Sequence, residues 1–244
     1  MILTSQVSSL MSSERNETLA RHNDGWLSAL EKRALAWAAP RVPAWLSPNG
    51  LTAVGFAGSV ATFCGYALAA GQPAWLWFVN AGLVVNWLGD SLDGSVARSR
   101  GIERPRFGFF LDQSTDVLGQ FLFAMGLALS GYVPIGIAVT GLAVYLMMSV
   151  QGLLRAEVSR VFHLATGGFG LTELRCLLIA VNILFFLVPP RPFRIGGIDT
   201  TYAELLGLAW IVVTMGLYLA TMIGEGRRLA REEPLPGRSP EERE

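Results

Sequence analysis

The sequence predicts an all-α integral membrane protein, with six transmembrane helices preceded by an amphipathic interfacial helix on the cytoplasmic face. Three observations predict it. The 244 residues are 52% hydrophobic and 16% charged, whereas soluble domains carry about 25% charged residues; the mean hydropathy is +0.43. The apolar residues gather into six runs of about 20, the length that crosses a bilayer. The basic residues fall almost entirely on one side of the membrane those runs define.

Residues 1–23 read as a polar segment without a sustained apolar core, so no cleavable signal peptide is expected. Residues 24–40, "DGWLSALEKRALAWAAP", follow as the amphipathic helix. Asp24 is placed to cap it. Trp26, Leu27, Leu30, Ala34 and Trp37 recur near helical spacing, and Glu31, Lys32 and Arg33 mark a polar side. Such a helix lies on the cytoplasmic leaflet; a short soluble cap helix is the alternative.

Residues 41–226 form the membrane domain. Its spans are expected at 51–70, 74–98, 108–130, 134–156, 172–189 and 202–223. Gly and Pro punctuate the gaps at Gly71-Gln72-Pro73, Gly131-Tyr132-Val133-Pro134 and Pro189-Pro190-Arg191-Pro192. Trp75 and Trp77 open the second span as anchors at the far interface. Residues 227–244, ending in "EEPLPGRSPEERE", form a polar tail expected to be disordered.

The basic residues orient the spans. Arg15, Arg21, Lys32, Arg33 and Arg41 precede the first span, and Arg98, Arg100, Arg104 and Arg106 join the second to the third. Arg155, Arg160 and Arg175 flank the fourth-to-fifth connection; Arg227, Arg228, Arg231, Arg238 and Arg243 follow the sixth. Of the 19 basic residues, Arg191 and Arg194 alone lie on the other side. An even number of spans, with both termini in the cytoplasm, satisfies this asymmetry; the inner (plasma) membrane is the expected location. A net charge of zero gives no reason to expect nucleic acid. Cys64 and Cys176 sit on separate apolar runs, where neither a disulfide framework nor metal spacing arises, and are read as packing residues.

The chemistry gathers in "DSLDGSVARSRGIERPRFGFFLDQSTD", residues 90–116. Asp90 and Asp93 are three apart at the cytoplasmic end of the second span. Asp112 and Asp116 are four apart at the start of the third. Both spacings put a pair on one helical face, and the short loop makes the two helices antiparallel neighbours. Four converging carboxylates repel one another unless protons or cations compensate. Arg98 can pair with one of them. Two divalent ions, Mg²⁺ or Mn²⁺, balance the rest, since hard ions take carboxylate oxygens and share a shell with phosphate. Gly94 and Ala97 leave a notch beside the acids, and Arg98 supplies a phosphate donor. Small residues of this kind also serve helix packing.

These residues resemble the signature of the CDP-alcohol phosphotransferase (phosphatidyltransferase) family, D-x2-D-G-x2-A-R-x8/9-G-x3-D-x3-D. Asp90, Asp93, Gly94, Ala97, Arg98, Gly108, Asp112 and Asp116 match every defined position. "SPNGLTAVG", residues 47–55, resembles the family's opening of the first span. The resemblance implies a membrane enzyme of phospholipid synthesis that moves a substituted phosphate from a CDP-linked donor to an alcohol and releases CMP. It implies two metal ions on the four aspartates, with Asp116 also the base for the acceptor hydroxyl. It places Gly94, Ala97, Arg98 and Gly108 at the nucleotide and diphosphate, with Asn49 and Thr52 beside the cytidine. A homodimer in the lipid bilayer is implied as well.

The acceptor is less well marked. Branches using phosphorylated acceptors often follow the last aspartate with Lys or Arg; here Val117 follows. "FLDQSTD" is loosely similar to the choline/ethanolamine branch, which often has His where Gln113 stands. "GGFGLTELR", residues 167–175, resembles a segment of that branch, with Leu171 in place of Pro. Arg155, Glu173 and Arg175 are candidates for the acceptor, Glu173 for a cationic amino-alcohol; a helix start and snorkelling charges are the plainer reading of Glu173 and Arg175. His163 is read as a surface residue. The competing function is a cation transporter or channel using the aspartates as an ion path. It leaves Gly94, Ala97 and Arg98 unexplained and requires acids nearer the bilayer centre.

Overall fold

In the computed structural model, residues 20–22, 25–159, 161–163, 165–166 and 169–233 are described. Asp24, Arg160, most of residues 1–23 and residues 234–244 lie outside them, and His163 is described by its backbone alone. Seven α-helices carry the architecture of the described residues: α1 (Ser28–Ala38), α2 (Pro48–Ala69), α3 (Trp75–Ser99), α4 (Pro105–Leu129), α5 (Ile135–Ser159), α6 (Leu171–Leu187) and α7 (Tyr202–Glu232). Short strands decorate the loops: β1 (Ala20–His22) runs parallel to β2 (Val161–His163), and β3 (Ala165–Thr166) pairs with β4 (Phe169–Gly170). A hairpin of β5 (Phe193–Ile195) and β6 (Ile198–Thr200) links α6 to α7. Gly196 and Gly197 have φ of 56° and 89°, as its turn needs at both central positions.

Among the described residues, three helices are long and apolar enough to cross a membrane: Pro48–Ala69, Ile135–Ser159 and Tyr202–Glu232. The chain is a membrane protein on that basis; six spans were expected. The shortfall has a local cause. Asn80, Asn86 and Asp90 dilute α3, Asp112, Gln113 and Asp116 dilute α4, and α6 has 17 residues. The last helix also overruns its expected end at 223, and residues 227–232, expected in the tail, are helical. Glu225, Arg228 and Glu232 sustain that extension through ion pairs three and four residues apart, at 2.9 and 3.6 Å.

Each start and stop has its reason. Ser47 caps α2 by accepting from the Gly50 N–H at 3.0 Å, with Pro48 in the first turn. Beyond α3, Gly101 adopts a φ of 65°, the left-handed conformation that closes a helix end. Pro105 then opens α4. The start of α1 differs from expectation. The Leu27 N–H, at the mouth of the helix, is taken at 2.7 Å by Glu173 Oε1, 146 residues away on α6. Lys32 and Arg33 are exposed as expected, but Glu31 points into the protein. Trp26, Leu30 and Trp37 remain exposed.

Helices α2 and α3 pack backbone against backbone. A Cβ at Gly58 would stand 2.4 Å from the Asn86 nitrogen; one at Gly89 would stand 2.3 Å from the Gly55 nitrogen. Small residues at such crossings let helices approach where lipid offers no hydrophobic drive. Asn182 of α6 ties itself to this seam. It accepts from the Tyr66 hydroxyl at 2.7 Å and donates to Asn80 Oδ1 at 2.8 Å. Tyr66, Leu76, Val79 and Phe185 are buried in the main core cluster. A second cluster, Ala39, Leu51, Leu92 and Val96, lies where the chain leaves α1 and enters α2.

Candidate functional site

The seam sets the floor of the acidic site. Asn86 donates across it to the Gly55 carbonyl at 3.1 Å and to Ser59 Oγ at 3.0 Å. Its own carbonyl oxygen accepts from Arg175 Nε at 2.9 Å. Arg175 then places Nη2 on Asp90 Oδ2 at 2.6 Å. The guanidinium is thereby fixed at two points and holds the carboxylate one turn beyond Asn86.

Asp90 of α3 meets Asp112 and Asp116 of α4 here. One carboxylate oxygen from each lies within 4.8 Å of the others. At that distance two ionised carboxylates repel by about 3 to 4 kcal/mol, taking an effective dielectric of about 20. Arg175 sets its positive charge against Asp90. The donor set is all oxygen, which fits a hard divalent cation such as Mg²⁺ or Mn²⁺.

The fourth aspartate is bonded to α2. Asp93 accepts from the Thr52 hydroxyl at 2.6 Å and from the Gly94 N–H, which ties it to α2. Expected residues thus meet in a different pairing: Thr52 is bonded to an aspartate of the signature. Asn49 is exposed and accepts from Arg104 Nη2 at 3.1 Å. Arg98 is exposed and donates to Ser95 Oγ at 3.2 Å, so the arginine bonded to Asp90 is Arg175 and not Arg98. At Gly94 the atoms a Cβ would approach belong to the Arg98 guanidinium, the nearest at 3.3 Å. Around Gly108 nothing lies within 4 Å of that position. Ala97 is half-buried on α3, the helix that carries Gly94.

The three acceptor candidates separate. Arg175 is in the aspartate cluster. Arg155, on α5, pairs with Glu225 of α7 at 2.8 Å. Glu173 is buried, and its two oxygens accept the Leu27 and Gly170 N–H groups at 2.7 and 3.0 Å. It is a double cap, for α1 and for its own helix. The helix-start reading describes it better than contact with a cationic alcohol.

Sequence reasoning missed Asn86, which was within reach: it precedes Asp90 by four residues and so shares its helical face. A comparison with curated proteins finds no match. A family model described as CDP-alcohol phosphatidyltransferase does match, over residues 45–222. That stretch starts just ahead of α2, ends within α7 and includes all four aspartates and Arg175, and on it the chain belongs to the CDP-alcohol phosphatidyltransferase family.

Proposed function

We propose that this chain, a transferase of phospholipid synthesis by family, moves a substituted phosphate from CDP-diacylglycerol or a CDP-amino-alcohol to an alcohol and releases CMP. The convergence of Asp90, Asp112 and Asp116 carries the reading. With Asp93 beside them, these residues would hold two divalent cations, Mg²⁺ or Mn²⁺. Bound there, the ions would neutralise the diphosphate and stabilise the departing CMP.

The protein's own groups have separable tasks. Asp116 takes the proton of the acceptor hydroxyl. The freed oxygen bonds to the phosphorus carried by the donor's alcohol, and the bridging bond to CMP breaks. Asn49, Thr52, Gly94, Ala97 and Gly108 shape the nucleotide side, where the open space at Gly108 admits close approach and the position beside Gly94 is taken by the Arg98 guanidinium. Arg98, exposed on the same helix, meets the diphosphate. Arg175 holds Asp90 and faces the acceptor side; Arg155 and Glu173 have no part there. The arrangement suits a reaction that needs positioning and charge compensation more than covalent help.

We place α3, α4 and α6 across the bilayer beside α2, α5 and α7, with α1 on the cytoplasmic leaflet and the aspartates at that end. Acids at one end of two helices support the transferase over a cation path through the membrane.

The test is CMP release by the purified chain from CDP-diacylglycerol or CDP-amino-alcohols, with a panel of alcohols including diacylglycerol. We expect CMP and a phosphodiester lipid with Mg²⁺ or Mn²⁺, and neither in EDTA. Metal-independent release, or none with any donor and acceptor, sinks the proposal.

A further inference from the structure

Glu31 lies on α1, outside the aspartate site, yet a single oxygen of its carboxylate collects three side-chain donors. Trp87 Nε1 reaches Glu31 Oε1 at 3.1 Å and Ser91 Oγ reaches it at 3.0 Å, both from α3. Thr172 Oγ1 reaches the same atom at 2.9 Å from α6. The positions of these donors matter. Ser91 directly follows Asp90 and Trp87 precedes it by three residues, while Thr172 precedes Arg175 by three. The two helices bridged by the Arg175–Asp90 pair are therefore bridged a second time, by Glu31, about one turn away. Glu173 strengthens the joint by holding the Leu27 N–H at 2.7 Å.

Three neutral donors on one ionised oxygen make a charge-assisted joint, stronger than neutral hydrogen bonds in the same places. Removing the carboxylate orphans all three donors and frees α3 and α6 to shift relative to each other. An amide carbonyl in its place keeps an acceptor for at least two of them. The solvent-facing role expected for Glu31 from its neighbours Lys32 and Arg33 does not account for this geometry.

We infer that Glu31 is a positioning residue of the aspartate site: it sets the spacing of α3 and α6, and with it the placement of Asp90 against Arg175, Asp112 and Asp116. The inference rests on reading those aspartates as divalent-cation ligands. It also makes α1 part of the catalytic framework, since the helix that carries Leu30 and Trp37 on its exposed side holds the site on its inner side.

Mn²⁺ binding to the purified full-length chain in detergent, read from the EPR signal of free Mn²⁺, tests this without turnover. Glu31→Ala is expected to weaken binding about tenfold, the low end of what loss of ligand-supporting contacts costs. Glu31→Gln should weaken it by less than about threefold, since an acceptor remains. A Ser91→Ala/Thr172→Val double variant, which keeps Glu31 and removes one donor from each helix, should move binding the same way. Wild-type affinity in folded Glu31→Ala overturns the inference; should that variant not fold, wild-type affinity in the double variant does so. If the wild-type chain itself binds no Mn²⁺, the reading of the aspartates fails first.

Discussion

Helix α2 of the α2–α3 seam and helix α7 are both long and apolar, but they are built for different neighbours. Of the most apolar 18-residue stretch, 44% is buried inside the protein in α2 and 6% in α7. Along α2, Gly55, Gly58 and Gly65 face backbone or branched side chains of α3; along α7, the positions of Gly216, Gly224 and Gly226 have nothing within 4 Å. Helix α2 meets protein through small residues along its length; α7 does so at Gly207, where a Cβ would stand 2.6 Å from Ile137, and elsewhere offers large apolar side chains such as Val212, Val213 and Ile223 to its surroundings. The contrast explains where the chemistry sits. Asn86, Asp90 and the Arg175 pair rest on the rigid seam, and a site needing sub-ångström placement belongs on such an element.

Matched substitutions in the two regions test that contrast. The largest difference is expected for carboxylate-to-amide changes. Asp116→Asn should cut metal-dependent CMP release about a thousandfold, within the range for loss of a general base. Glu225→Gln, which removes a carboxylate paired with Arg155 and Arg228 between α5 and α7, should leave the rate within about threefold. Near-normal turnover in Asp116→Asn with metal still bound would remove Asp116 as the base. Equal losses in both variants would remove the distinction between the regions.

The next effect is on folding. Gly58→Ala places a methyl 2.4 Å from the Asn86 nitrogen and 2.7 Å from the Gly82 carbonyl oxygen. Both are backbone atoms, so the helices must separate. A loss of about 2 to 3 kcal/mol is expected, as for overpacked cores, read from unfolding in detergent. CMP release should fall as well, because Asn86 is carried with the shift. Asn182→Ala is milder: it orphans the Tyr66 hydroxyl and the Asn80 carbonyl oxygen, for about 1 kcal/mol, since polar contacts between membrane helices are individually modest. A null effect at Asn182 would show that the seam needs only its glycines.

Sequence pattern exposed these regions unequally. The apolar runs located the six long helices, with starts within three residues, because hydrophobicity is a local signal. The acidic cluster was legible because its ligands fall within 27 residues and share helical faces. Its supporting partners were not. The Arg175–Asp90 contact spans 85 positions and Thr172–Glu31 spans 141. No periodicity connects such residues; only the packing of α6 and α1 against α3 does. The β5–β6 hairpin was available in principle, since Gly196-Gly197 separates two short strands. The end of α7 was misplaced because its last turns are charged. Hydropathy stops at the membrane, whereas ion pairs carry the helix on to Glu232.

The smallest expected effect sharpens the contrast most, because its sign reverses. Gly216→Ala makes in α7 the same chemical change that Gly58→Ala makes in α2. In α7 the new methyl meets nothing within 4 Å, so no steric term opposes it. What remains is backbone entropy: alanine gives up less conformational freedom on entering a helix than glycine, by about 0.5 to 1 kcal/mol. Gly216→Ala should therefore stabilise the chain by about 0.5 kcal/mol, seen as a small rise in unfolding temperature in detergent, with CMP release unchanged. Destabilisation by more than about 1 kcal/mol would mean that this face of α7 packs against protein rather than lipid. The second copy expected from the family resemblance would then have a place to bind, and the low burial of α7 in the single chain would mark an interface.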